Sequence, residues 1–134
     1  GFPRGVADNP ERYTDRDTKY RLVSHAEQNL IAQAAYSGRS VAGTTLLVSS
    51  LYPCANCAKS IIQAGIVRVI SPRFDGNERW IEEARWARLM FTEAGVECLY
   101  IEDLMRNLAV AEKNDHQKQI ELRYFWGLGQ LTQI

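Results

Sequence analysis

Residues 44–71, T-T-L-L-V-S-S-L-Y-P-C-A-N-C-A-K-S-I-I-Q-A-G-I-V-R-V-I-S, decide the fold. Thr44 to Ser50 reads as a strand, with β-branched and aliphatic side chains that suit a pleated surface. Pro53 is suited to opening a helix. That helix carries both cysteines and continues through Ile61 and Ile62 to Gly65. Ile66 to Ser71 is a second short strand. Strand, helix and strand in close succession predict parallel pairing around a crossover helix.

The pattern extends in both directions. Upstream, Ser24 is the expected N-cap of a helix running to about Ser37, with Glu27 three positions on as in a capping box. Its buried face is expected to be Leu30, Ile31, Ala34 and Ala35, and Gly38 ends it. Residues 1–20 are rich in Gly, Pro, Asp and Arg and read as loop. Downstream come a loop with Asp75-Gly76-Asn77, a helix from Glu78 to Ala94 ended by Gly95, and a strand from Val96 to Ile101. Strands alternating with helices predict an α/β layer fold. Three strands make a thin sheet, so at least one hairpin is expected N-terminal to Gly1. The expected domains are 1–102 and a helical extension, 103–134, with a charged middle. Its Tyr124-Phe125-Trp126 cluster, with Leu122, Leu128 and Leu131, is expected to form a docking face.

The chain of 134 residues fits one core-forming unit, with 46% hydrophobic residues. Sixteen basic residues balance sixteen acidic ones, and no long basic tract asks for a polymeric nucleic acid as partner. No apolar run approaches the roughly 18 residues of a membrane span. No signal peptide opens the chain. Three cysteines, two of them in one C-x-x-C, do not make a disulfide framework. A cytoplasmic setting is expected, since metal-binding thiolates need reducing conditions.

The chemistry sits in His25-Ala26-Glu27 and Pro53-Cys54-Ala55-Asn56-Cys57. His25, Cys54 and Cys57 supply three zinc-type ligands, which leaves a tetrahedral ion with an open fourth position, as in catalytic rather than structural sites. The two cysteines, three apart at a helix start, share one face. The helix N-terminus favours thiolates there. His25 and Glu27 would diverge in mid-helix but can converge beyond a helix end. That geometry suits Glu27 as a proton carrier rather than a fourth ligand. Cys98, in a predicted strand, reads as a buried thiol, and His116, in the polar tail, as a solvated imidazole.

H-x-E followed by P-C-x-x-C resembles the signature of zinc deaminases that act on nucleobases. Within them the chain is similar to the deoxycytidylate (dCMP) deaminases of the cytidine deaminase superfamily. The likeness rests on Leu51 to Ile70, on Ala87 to Val96 (A-R-L-M-F-T-E-A-G-V), on Asp17 to Tyr20 (D-T-K-Y), and on H-A-E-Q-N-L-I from His25. The tRNA adenosine deaminases fit worse, since Asn56 rather than methionine precedes Cys57. Nucleoside cytidine deaminases fit worse too, since they favour a Gly inside the C-x-x-C and Arg-Gln after it, where this chain has Ala55-Asn56 and Ala58-Lys59.

The resemblance implies a cytidine-deaminase-like α/β/α sandwich, three layers around a mixed sheet, with Zn2+ held by His25, Cys54 and Cys57. It implies Glu27 as proton shuttle while zinc-activated water attacks C4 of the cytosine, dCMP as substrate, and dUMP and ammonia as products. It also implies a homo-oligomer, a hexamer by family habit, with dCTP and dTTP as effectors. Gly1-Phe2-Pro3 resembles the end of the family's G-Y-N-G loop, so the first helix and opening hairpin have no counterpart here. Tyr36 stands where several nucleotide-regulated members carry Arg, which sets dCTP activation in question. Candidate substrate contacts are Lys19, Tyr20, Tyr52 and Arg88, with Arg4, Arg21 and Lys59 as further cations for the 5′-phosphate. The alternatives are another cytosine substrate (a modified dCMP, dCTP or deoxycytidine) or a catalytically idle zinc-binding regulatory subunit.

Overall fold

The computed structural model describes residues 1–74 and 78–129, with side chains as far as residue 115 apart from Arg79. Strands β1 (Thr45–Leu47), β2 (Arg68–Ser71) and β3 (Glu97–Tyr100) form one sheet in the order β1-β2-β3, both pairings parallel. No antiparallel pairing, as a mixed sheet would have, occurs among the described residues. The register joins Leu46, Val69 and Cys98 in one row, and Leu47, Ile70 and Leu99 in the next. Because side chains alternate across a strand, the first row enters the core while the second faces away, with Leu47 64% exposed.

The crossovers are α4 (Ala55–Gln63) and α5 (Glu78–Glu93). Strand order advances in one direction, so right-handed crossovers put both helices on one face, and α4 packs closely on α5. Between them and the sheet lie Ile61, Ile66, Val69, Ala87 and Phe91, all essentially without solvent exposure. The turn from α4 to β2 requires Gly65, at φ +76°, where an added Cβ would meet the Ala42 Cβ at 3.1 Å.

Three expectations change. Residues 1–20 are not all loop: α1 spans Glu11–Thr14 and α2 spans Arg16–Leu22. The Asp15 carboxylate accepts the Thr18 N–H at 3.0 Å, an N-cap concealed in a polar composition. The helix after Ser24, α3, spans Ala26–Tyr36 and has His25 rather than Ser24 as its N-cap residue. The Ser24 N–H is committed to the Gly1 carbonyl at 2.9 Å. And α3 buries Glu27, not the expected apolar face: Leu30 is 43% exposed, Ala35 is exposed, and Ile31 and Ala34 are half-buried. The reason is its position, since α3 packs on α4 rather than on the sheet.

Helix α6 (Ile101–Gly129) follows β3 directly, two residues ahead of the expected junction at 103. The side chains of His116 and of the Tyr124-Phe125-Trp126 cluster, and the whole of Asp75-Gly76-Asn77, lie outside the described residues.

Candidate metal centre

His25 and Cys54 occupy matching places, each the last extended residue before a helix. The His25 carbonyl accepts the Asn29 N–H, and the Cys54 carbonyl accepts the Ala58 N–H, both at 2.9 Å. Each backbone therefore begins its helix while the side chain stands off the end. Cys57, one turn into α4, is completely buried. Packing of α3 on α4 brings the three together: His25 Nδ1 lies 3.5 Å from Cys54 Sγ and 3.3 Å from Cys57 Sγ. All three donor atoms lie within 4.8 Å of one another. A tetrahedral zinc with ordinary Zn–S and Zn–N bonds has ligand–ligand edges of about 3.6 Å, so donor set and spacing fit that ion.

The two sulfurs titrate as a pair. Cys54 is brought down to about 5, chiefly by the hydrogen bond from Cys57, and further by the Cys57 and Asn56 N–H groups and the His25 ring, against burial. Cys57 moves the other way, raised by its hydrogen bond to Cys54, then by burial and the Glu27 carboxylate. Without a cation the pair holds one thiolate more readily than two. The second thiolate calls for a cation between them.

Glu27, in the first turn of α3, is 7% exposed. Its carboxylate lies near enough to Cys57 to raise that thiol, and it lines the same cavity as His25 and Cys54. The cavity has a volume of about 440 Å³, within the range of small-molecule sites. Tyr20, Tyr52, Phe74 and Trp80 give it aromatic walls. A second carboxylate, Glu83 of α5, lines it too, and its Oε2 accepts the Ala55 N–H at 3.2 Å, between the two cysteines.

Of the other residues singled out in the sequence, Tyr20 and Tyr52 line this cavity, and Tyr52 and Arg88 line a neighbouring one of about 260 Å³. Burial and Cys98 raise the Tyr52 hydroxyl, which donates toward Cys98 Sγ at 3.9 Å. Cys98 is itself half-buried and raised by burial. Lys19 and Arg21 are exposed on α2 and line neither cavity. Arg4 donates to Gln33 and stacks on Tyr36, and Lys59 donates to Asn56. Sequence reasoning missed Arg73, Phe74, Trp80 and Glu83. Arg73 and Phe74 follow β2, while Trp80 and Glu83 lie on α5, which packs on α4; all four are well downstream of the cysteines. No local spacing marks them.

One imidazole and two sulfurs on neighbouring helix starts of a parallel α/β scaffold define the class, a zinc-site α/β domain with a carboxylate held beside the metal position. Residues 5–72 match the cytidine and deoxycytidylate deaminase zinc-binding region, and the chain belongs to that family. It is 37% identical over 103 residues to the "Uncharacterized deaminase in luxG 3'region" of Aliivibrio fischeri, covering 75% of this chain and 67% of that protein. It is 43% identical over 103 residues to the deoxycytidylate deaminase of Homo sapiens, covering 72% of this chain and 54% of the relative. The apo dCMP deaminase of cyanophage S-TIM5 superposes with a TM-score of 0.51 at 26% identity, covering 75% of this chain and 66% of that one. The α/β architecture expected from the resemblance therefore stands. The chain spans about half the length of the curated mammalian deoxycytidylate deaminases it matches.

Proposed function

We propose that this chain carries out hydrolytic deamination of a cytosine nucleotide, dCMP to dUMP and ammonia, at the cavity holding His25, Cys54, Cys57 and Glu27. The observation that carries the reading is the buried Glu27 carboxylate beside a three-donor zinc set that opens on a cavity of about 440 Å³. A purely structural zinc site has no use for that carboxylate. Zinc held by His25, Cys54 and Cys57 supplies Lewis acidity that brings water ionisation toward neutral pH. Glu27 would move both protons: one from the attacking water to ring N3, then the remaining one from the C4 hydroxyl to the amino group, which leaves as ammonia as C4 becomes a carbonyl. Tyr20 and Tyr52, in the walls, are assigned to the base and sugar. Lys19 lines neither cavity and is not assigned to the phosphate, while a homo-oligomeric state and regulation by dCTP or dTTP are carried over from the family resemblance. No helix among the described residues is long and apolar enough to cross a membrane.

The test is ammonia release from dCMP, deoxycytidine and dCTP by zinc-loaded protein, beside Glu27→Gln. Turnover of dCMP is expected to fall by at least a hundredfold in the variant, the usual scale of a lost general acid–base group, with zinc content retained. Turnover of deoxycytidine in preference to dCMP sinks the nucleotide reading. Zinc bound stoichiometrically with none of the three turned over sinks the assignment of this cytosine chemistry to the chain.

A further inference from the structure

The neighbouring cavity of about 260 Å³ adjoins the metal-site cavity and shares Tyr52, Arg73, Phe74 and Ala84 with it. Three arginines line it, Arg73, Arg85 and Arg88, and no carboxylate does among the described residues. The stripe Ile81, Ala84, Arg85 and Arg88 follows the i, i+3, i+4, i+7 spacing of one helix face, so a single side of α5 forms that wall. Ala84 keeps the wall low where the two cavities meet.

The arginines are not equivalent. Arg73 is committed: it pairs with Asp103, its N–H donates to both Glu102 carboxylate oxygens at 3.1 Å, and its guanidinium lies 4.3 Å from the centre of the Tyr100 ring. The Arg85 and Arg88 guanidinium groups form no ion pair or hydrogen bond among the described residues. Arg88 is solvent-exposed, yet its charge reaches both the Tyr52 hydroxyl and the Cys98 thiol, opposing the effect of their burial. Two uncommitted guanidiniums beside aromatic walls, with no acid among the described lining residues, make a place for an anion with several acceptor oxygens.

We propose that Arg85 and Arg88 hold the phosphate of the nucleotide whose base enters the metal-site cavity. This rests on the nucleotide reading above and assigns its phosphate end. The Tyr52 and Phe74 rings stand at the junction, where the sugar of such a ligand passes from one cavity to the other. Arg73, fixed by Asp103 and Tyr100, braces the rim and lends its remaining donors.

The experiment uses zinc-loaded protein with inorganic phosphate as probe, titrated calorimetrically, and dCMP kinetics in parallel. Arg85→Ala and Arg88→Ala are each expected to weaken phosphate binding, and to raise the KM for dCMP, by on the order of tenfold, the scale of one lost charge-assisted hydrogen bond. Arg88→Lys is expected to recover part of both. Because it keeps a long cationic stem, it also reports on the site if an alanine variant folds poorly. Inorganic phosphate is expected to compete with dCMP. Phosphate binding that is absent from the wild type, or unchanged in the double alanine variant, overturns the site. Inhibition by phosphate that is not competitive with dCMP overturns its assignment to the substrate in favour of a separate nucleotide. Arginine-dependent phosphate binding without dCMP turnover supports the anion site while rejecting the substrate reading.

Discussion

Glu83 holds the helix start that carries both cysteines. Its Oε2 accepts the Ala55 N–H, one of the backbone donors that a helix start leaves without an intrahelical partner. Cys54 precedes that amide and Cys57 follows it by two, so the carboxylate sets the direction from which both sulfurs meet the imidazole. Groups that orient metal ligands in this way typically account for 10–100-fold in metal affinity. Glu83→Ala is therefore expected to weaken zinc binding by about tenfold, measured by competition with a chromogenic chelator. Glu83→Gln, which keeps an acceptor oxygen, is expected to restore most of it. Equal affinity in all three proteins would leave Glu83 as wall only. Glu27 and Glu83 thus line one cavity in different parts, the first proposed to move protons and the second holding a helix start.

At the scale of elements, the site depends on how α4 is held between β1 and β2. Gly65 ends that helix at positive φ, and its carbonyl accepts the Gly43 N–H at 2.8 Å, tying the turn to the segment before β1. Gly95 ends α5 in the same backbone region, at φ +71°, but into open space. Gly95→Ala should therefore show the left-handed backbone cost alone, about 1–2 kcal/mol. Gly65→Ala should exceed it, because its Cβ also presses on Ala42. Urea unfolding of the two variants side by side measures the difference, and equal losses would show that Ala42 yields freely. The αL glycines were legible as stops in the sequence, since Gly38, Gly65 and Gly95 each follow a helical pattern. The short helices α1 and α2 were not, because a polar Gly/Pro/Asp composition masks the Asp15 cap until its bond to the Thr18 N–H is seen.

For the whole molecule, the metal joins two helices whose main link is mutual packing. His25 comes from the start of α3, and both cysteines from the start of α4. Zinc binding therefore contributes to folding stability. Saturation at a hundred times the dissociation constant stabilises by about 2.7 kcal/mol. Chelation is expected to lower Tm by on the order of 10 °C, and re-addition of zinc to reverse it, as read by scanning calorimetry. A Tm indifferent to chelator would mean that packing alone fixes the helices. The sequence by itself determined the α/β alternation, the helix stops, the three metal-ligand candidates and Glu27. These are properties of periodicity, special backbone conformations and short spacings, all local to the chain. Only the tertiary structure decided which carboxylate props the cysteine helix, which arginines face a common cavity and which side of α3 is buried. Glu83, Arg85 and Arg88 acquire their roles through the packing of α5 against α4 and the sheet, and such contacts between distant segments leave no periodic trace in the sequence.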